Sequence, residues 1–209
     1  MVPSSWFNFS DNLPSSGFTA NNSLSTTIVR PASLNDLSQI GELLTLSFNN
    51  FNDFTFWIYP LFKLGVCQDL RGRIQTQENQ AKNSDSLCLV AVFISKLGKE
   101  INQSVVGTVE LSFLSTSRWF GKQKYAYISN LAVSKNYRRQ GIASKLLHQC
   151  EIIAQQKNLP QISLHVLASN KIGQEVYFKN GYDLQQVETD LYSLFVTSKR
   201  RLLLTKSLK

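Results

Sequence analysis

The residues Tyr125-Ala126-Tyr127-Ile128-Ser129-Asn130-Leu131-Ala132-Val133, followed closely by Arg138-Arg139-Gln140-Gly141-Ile142-Ala143, decide how this chain folds. The first run, rich in aromatic and branched side chains, reads as a β-strand. The second is a turn that opens a helix: Ile142, Leu146, Cys150, Ile153 and Ala154 share one face, and no Gly or Pro intervenes before Pro160. The first amide N–H groups of a helix lack intrahelical partners and carry the positive end of its dipole, so this junction is a place to bind phosphate. Gly141 and Ala143 let a pyrophosphate approach the backbone.

Toward the C-terminus, Ile162, Leu164 and Val166 alternate along a strand and put Ser163, His165 and Leu167 on its other face. Asn170 to Asn180 is a short helix stopped by Gly181, and Tyr182 to Glu188 and Arg201 to Leu208 are the last two strands. Toward the N-terminus, Leu87 to Ile94 and Val105 to Leu114 are consecutive strands separated by a turn at Gly98. Ile28-Val29-Arg30-Pro31 is a short first strand, and Ser33-x-x-Asp36 opens a helix with Leu37, Ile40, Leu44 and Phe48 inward. Between them an aromatic cluster, Phe51 to Phe62, runs into helix-compatible sequence from Leu64 to Ala81 that Gly65 and Gly72 interrupt, and a second helix is expected there. The elements predict an α/β (α+β) chain in which a mixed sheet is flanked by helices, with no internal repeat.

The chain has 209 residues, 43% of them hydrophobic and 17% charged, enough for one domain with a sizeable core. Its longest apolar run, Leu87 to Ile94, is strand length, short of the roughly 18 to 20 residues of a membrane-spanning helix, so a soluble protein is expected. Residues 1–26 are rich in Ser and Asn and hold no Lys or Arg, which fits neither a secretory signal nor a transit peptide; they read as a flexible extension before a domain over residues 27–209. Cys67, Cys88 and Cys150 show no Cys-x-x-Cys spacing and His148 and His165 are the only histidines, so a reducing cytoplasm and no metal are expected. The net charge of +8 is spread along the chain; a solvated basic surface explains it better than nucleic-acid binding, and it would help attract an anionic ligand or acidic partner.

Arg138-x-x-Gly141-x-Ala143 resembles motif A of the GNAT superfamily of N-acetyltransferases, whose signature is Arg or Gln, two residues, Gly, one residue, then Gly or Ala. Leu131-Ala132-Val133 stands where that family hydrogen-bonds the pantetheine arm through its backbone, and Asn170, Tyr177 and Gly181-Tyr182 match its later Asn, Tyr and Gly-aromatic positions. The resemblance runs from Ile28 to Leu208 in element order and is strongest from Tyr125 to Tyr182. It implies the GNAT fold, a mostly antiparallel sheet of about seven strands with about four helices. It also implies acetyl-CoA as cosubstrate, held by Leu131, Ala132, Val133, Arg138, Arg139, Gln140, Gly141, Ile142, Ala143, Ser144, Asn170 and Tyr177.

Direct acetyl transfer needs a deprotonated amine, a donor for the oxyanion and an acid for the leaving thiolate. Tyr177 resembles the family tyrosine that hydrogen-bonds the coenzyme sulfur, although a half-buried helix aromatic is the plainer reading. Tyr127-Ile128, with Tyr137-Arg138-Arg139-x-Gly141-Ile142 and Leu164-His165-Val166, resembles the NatE-type N-terminal acetyltransferases, which use a tyrosine and a histidine at the positions of Tyr127 and His165. The bacterial ribosomal-protein alanine acetyltransferases have a glutamate where His165 stands. A histidine can accept a proton at neutral pH, directly or through a water; one satisfied by backbone groups is the alternative. Glu110 is a second base candidate, set with Thr108 and Ser112 on the polar face of its strand, where an exposed carboxylate is equally ordinary. His148 carries no expected role, and Tyr192 falls near the place where N-terminal acetyltransferases hold a substrate peptide with a loop tyrosine.

A histidine base suits an α-amine, with a pKa of about 7.7 to 8.0, better than a lysine at about 10.4, so a protein N-terminus is the expected acceptor, with lysine ε-amines next. Two features depart from the compact N-terminal enzymes: the stretch from Asn49 to Ser86 is long, and Gly173 replaces a common Ala. Leu64-Gly65-Val66-Cys67-Gln68-Asp69-Leu70-Arg71 is similar to plastid and cyanobacterial family members, which act on both lysines and N-termini. The alternatives are a small-amine acetyltransferase and a silent coenzyme-A-binding module, in a monomer or a homodimer.

Overall fold

The computed structural model describes residues 23–48, 59–79, 85–97, 100–118, 121–188 and 200–208. Among them are strands β1 (Ser23–Pro31), β2 (Ser86–Leu97), β3 (Glu100–Arg118), β4 (Gly121–Val133), β5 (Gln161–Leu167), β6 (Asp183–Glu188) and β7 (Arg201–Ser207). They form one sheet in the order β1-β2-β3-β4-β5-β7-β6. Every neighbouring pair is antiparallel except β4 and β5, whose connection passes through a helix as a parallel crossover must. The helices are α1 (Leu37–Phe48), α2 (Tyr59–Asn79), α3 (Ile142–Gln156) and α4 (Lys171–Lys179). The expected mixed, mostly antiparallel sheet flanked by helices is therefore the observed one.

The apolar run at the centre of β2 explains the layering. Leu89 and Ala91 pack with α3 residues Leu146 and Cys150, whereas Cys88, Val90 and Val92 pack with Ile40 of α1 and Leu70 and Ile74 of α2. A strand covered on both faces reads as a continuous apolar run rather than an alternating one. The Leu146 side chain is fully buried in the larger of these cores, and cutting it back to Ala would cost about 2–5 kcal/mol.

Two boundaries differ from the sequence reading. The first strand begins at Ser23, so residues 23–26, assigned above to a flexible extension, pair with β2 (Ser23 opposite Leu97, Thr26 opposite Ile94). The earlier residues of the extension lie outside the described residues. The second helix begins at Tyr59, five residues before Leu64, and runs unbroken through Gly65 and Gly72. Pro60 sits in its first turn, where a missing N–H costs nothing, and neither glycine has another part of the protein within contact of its would-be Cβ. Among the described side chains of α2 only a narrow stripe is buried, with Leu70 and Ile74 continued by Gln77. The Gln77 amide accepts from Cys88 N at 2.6 Å and donates to Ala32 O and Cys88 O, tying α2 to the strand ends. In α1 Ile40, Leu43, Leu44 and Thr45 are buried and Leu37 packs half-buried against them, as expected for Leu37, Ile40 and Leu44, whereas the Phe48 side chain lies outside what is described.

Ser33 and Asp36 make the expected reciprocal cap, as the Ser33 N–H donates to Asp36 Oδ2 at 2.8 Å. Arg30 binds both oxygens of the same carboxylate, at 2.7 and 2.8 Å, which secures the end of β1 to the start of α1.

Candidate active site

β4 and β5 pair over a short distance only, from Ala126 opposite Ile162 to Ile128 opposite Leu164. Past that point β4 keeps β3 on one side and, among the described residues, has no strand on the other. The divergence coincides with a bulge: Ser129 pairs with Glu110 and Ala132 with Thr108, so Asn130 and Leu131 stand opposite a single residue, and Asn130 takes φ +52°. The extra residue inverts the alternation, so that Leu131 and Val133 share the α3 face with Ala126 and Ile128.

The end of β4 turns into α3 through Arg138 to Gly141. Arg139 and Gly141 have φ +62° and +75°, the left-handed region that glycine enters freely. Gly141 is the N-cap, no side chain caps α3, and its first turn carries no acidic residue, so the amide N–H groups of that turn are left for an anion. A Cβ on Gly141 would meet nothing within 4 Å. Arg138 Nε donates to Val133 O at 3.1 Å and pins the turn back onto the strand end. Gly107 lets α3 sit this low, since a Cβ there would come within 3.1 Å of Ile142 and Leu146 side-chain atoms.

From α4, Tyr177 packs against the same core with its ring centroid 6.1 Å from that of Tyr182. Burial, reinforced by the nearby Tyr127 hydroxyl, pushes its phenol up to about 12, so it stays protonated. Asn170 is the N-cap of α4: its Oδ1 accepts from Gly173 N at 3.0 Å. A Cβ on Gly173 would lie 2.7 Å from Asn170 Nδ2, so the glycine gives that cap its room. Ser144 Oγ, in the first turn of α3, accepts from Asn180 Nδ2 at 3.1 Å and joins the two helices.

On the opposite face of the sheet, Tyr127 Oη lies 2.9 Å from His165 Nδ1. Burial raises the Tyr127 phenol, while the Arg201 guanidinium beside it works the other way. His165 Nε2 is 2.9 Å from Glu188 Oε1, and Arg201 Nε is 3.9 Å from the other oxygen of that carboxylate. On the same face the carboxylate of Glu110 is 3% exposed; Arg73 of α2 donates to its Oε2 at 2.9 Å and Ser129 Oγ lies at 3.4 Å. Burial nevertheless raises Glu110 above the ordinary carboxylate range, only partly countered by Arg73.

The family model described as Acetyltransferase (GNAT) family matches residues 52–182, more than half of the chain and the whole of the splayed β4–α3 unit. The chain belongs to the GNAT acetyltransferase family. GCN5-related N-acetyltransferase 10, chloroplastic, of Arabidopsis thaliana is 32% identical over 123 residues, which are 57% of this chain and 48% of that protein. Thialysine N-epsilon-acetyltransferase of Bos taurus is 35% identical over 102 residues, 48% of this chain and 58% of that protein. The chain thus spans about half the length of the curated relatives it matches. In fold it is similar to PaiA N-acetyltransferase from Thermoplasma acidophilum in complex with coenzyme A, with TM-score 0.63 and 20% identity over 87% of this chain and 99% of that one. Membership fits the expected class of enzyme, an acetyl-CoA-dependent N-acetyltransferase, with acetyl-CoA as its cosubstrate.

Most of the residues singled out from sequence in this GNAT domain gather at the splay. Leu131 to Val133 and Arg138 to Ser144 line the β4–α3 side, Asn170 and Tyr177 come from α4, and Tyr127, His165 and Glu110 lie on the far face. Tyr192 lies outside the described residues. His148 stands apart on α3 with its side chain 64% exposed. The sequence reading missed Arg73, Glu188 and Arg201, each an ordinary surface-type charge in its own stretch. Among the described residues no three of His, Cys, Asp or Glu come together as metal ligands, and no helix is long and apolar enough to cross a membrane.

Proposed function

We propose that this chain transfers the acetyl group of acetyl-CoA directly to a primary amine, a protein N-terminal α-amine first and a lysine ε-amine second. The observation that carries the proposal is the 2.9 Å contact between Tyr127 Oη and His165 Nδ1, set on one face of the splay while the uncapped start of α3 and Tyr177 lie on the other.

In this reading the amides of Ile142, Ala143 and Ser144, with Arg138, Arg139 and Gln140 around them, hold the pyrophosphate. The β4 backbone from Leu131 to Val133, which lacks a strand on its β5 side, takes the pantetheine arm; Asn170 reaches the coenzyme through Nδ2, its Oδ1 being engaged in the α4 cap. The acceptor approaches from the α1/α2 face. Its ammonium loses a proton to Tyr127 as the Tyr127 proton passes to His165, and the free amine attacks the thioester carbon. As the intermediate collapses the nitrogen gives its second proton to solvent water, the departing sulfur takes one from Tyr177, which burial keeps in its acid form, and the tyrosinate left behind regains a proton from solvent. Glu110, engaged by Arg73, holds α2 against the sheet beside this path and is the second candidate base. Tyr192 is retained as the proposed contact to an acceptor peptide.

The free thiols Cys67, Cys88 and Cys150 suit a reducing compartment, which fits the cytoplasm expected from sequence as well as the plastid in the name of the Arabidopsis relative. The bovine relative's name favours a second reading, acetylation of a small lysine-like amine. Calorimetric titration with acetyl-CoA, followed by thiol release with N-terminal peptides, lysine peptides and polyamines, separates them. Peptide-dependent release that is fastest with free N-termini is expected. Turnover of polyamines without peptides would replace the proposal by the second reading, and binding without any turnover would make the chain a coenzyme sensor.

A further inference from the structure

Glu188, at the end of β6, is absent from the expected set of site residues, yet its carboxylate is the group that faces the buried side of His165. The register brings it there: His165 stands opposite Leu203, Leu167 opposite Arg201, and Glu188 opposite Arg201, so all three charged or titratable side chains lie on the face of Tyr127. His165 is 18% exposed and its Nε2 is sealed from solvent; Glu188 Oε1 lies 2.9 Å from it, although the angle falls short of a well-formed hydrogen bond. Glu188 itself is 41% exposed, free to make the small rotation that aligns the pair.

A neutral imidazole carries one N–H, and the two contacts of this ring allow only one place for it. With the proton on Nδ1, the Nε2 lone pair would point at a carboxylate oxygen, acceptor against acceptor in a buried setting. With the proton on Nε2, the ring donates to Glu188 and its Nδ1 lone pair receives the Tyr127 O–H. We propose that Glu188 is a positioning residue for acetyl transfer: it holds His165 in the Nε2–H tautomer, leaving Nδ1 as the atom that takes the Tyr127 proton. This rests on the proposed role of Tyr127 and His165. When that proton arrives, His165 becomes an imidazolium with both nitrogens protonated, and the Glu188 carboxylate lies against the new charge; no other bond forms or breaks. Arg201, 3.9 Å from Glu188 Oε2 and beside the Tyr127 hydroxyl, adds a positive charge next to the carboxylate. The logic is that of a carboxylate orienting a catalytic histidine, built here across β5, β7 and β6.

Because the chain has only two histidines, His148→Asn leaves a protein whose imidazole 15N spectrum reports His165 alone. In that background the Nε2–H tautomer is expected as the single neutral form. Glu188→Ala should give a mixture of tautomers and lower kcat roughly 10- to 100-fold, with KM for acetyl-CoA unchanged. Glu188→Gln, whose amide oxygen still accepts from Nε2–H, should keep the tautomer and most of kcat, a rescue that a merely structural role would not produce. Melting curves and acetyl-CoA affinity identify any variant that has simply lost its fold, in which case the Gln variant carries the test. A Glu188→Ala enzyme that keeps both the tautomer and kcat overturns the proposal while leaving the base reading intact. Tyr127→Phe and His165→Ala enzymes with undiminished turnover would instead overturn the base reading and Glu188's role with it.

Discussion

On the α3 side of the splay the site is made mostly of backbone: the strand end from Leu131 to Val133, the left-handed residues Arg139 and Gly141, and the bare amides of the first helical turn. On the α1/α2 side it is made of side chains borrowed from distant stretches, with Tyr127 from β4, His165 from β5, Glu188 from β6, Arg201 from β7, and Arg73 from α2 reaching Glu110 on β3. The first half suits a ligand that is the same in every reaction of the family, since a phosphate needs only N–H groups and space. On the proposed function, the second half would determine which amine is served and how its proton leaves, and it can change one side chain at a time. Affinity for the coenzyme and the rate of transfer should therefore respond to different substitutions.

The sharpest break in that comparison should come from Tyr177→Phe, which removes one oxygen from a residue on the α3 face without disturbing any backbone. Turnover is expected to fall about 100- to 1,000-fold with acetyl-CoA affinity unchanged by calorimetry, as befits a general acid. His165→Ala should cost roughly 10- to 100-fold near neutral pH, where an α-amine is mostly protonated, and less at alkaline pH where free amine is abundant. A pH–rate profile that drops in parallel at every pH would return His165 to a packing role. Gly141→Leu should do the reverse of both, weakening acetyl-CoA binding about tenfold with little change in kcat at saturation. The open space around Gly141 leaves room for the side chain, so only the strain of φ +75°, about 1–2 kcal/mol, falls on the fold itself. Equal loss of affinity in the Tyr177 and Gly141 variants would erase the distinction between the two halves.

The same division decides what could be read from the sequence. The α3 half was legible because its signals are local: small residues at the turn, the 3.6-residue apolar repeat of α3, and Asn170 and Gly181 marking the ends of α4. His165 was legible through alternation, flanked by the inward Leu164 and Val166, and both it and Tyr127 were legible through a family resemblance. Glu188 and Arg201 were not, because both lie at strand ends with exposed side chains and gain meaning only from the pairing of β5, β7 and β6. Arg73 was hidden for a related reason. It lies on a helix with little amphipathic pattern, and its partner Glu110, which looked like an exposed strand carboxylate, is buried and meets the arginine only in the folded chain. The start of β1 at Ser23 was missed because Ser and Thr in an edge strand look like linker.

The smallest expected effect concerns Glu110 and would sharpen the picture of the acceptor half. Its carboxyl is raised above its ordinary value by burial, so in the window between the ordinary and the raised value the folded state holds a proton that the unfolded state has released. Stability then declines as pH rises through that window and is fully retained below it, the opposite of an exposed, well-paired acid. Glu110→Gln keeps the shape and removes the charge, leaving Arg73 its neighbour Asp69, 3.0 Å away on α2. Thermal melts of the two proteins should show the Gln variant modestly more stable at neutral pH and the difference closing as the pH is lowered. If the wild type is instead the more stable at neutral pH, the Arg73 contact outweighs burial and the carboxylate serves as a fully ionised anchor for α2. Activity measured on the same samples then assigns its chemistry: a more stable Glu110→Gln enzyme with intact turnover leaves proton removal to Tyr127 and His165, whereas a more stable but slow one makes Glu110 a second base and a group whose function is maintained at a cost in stability.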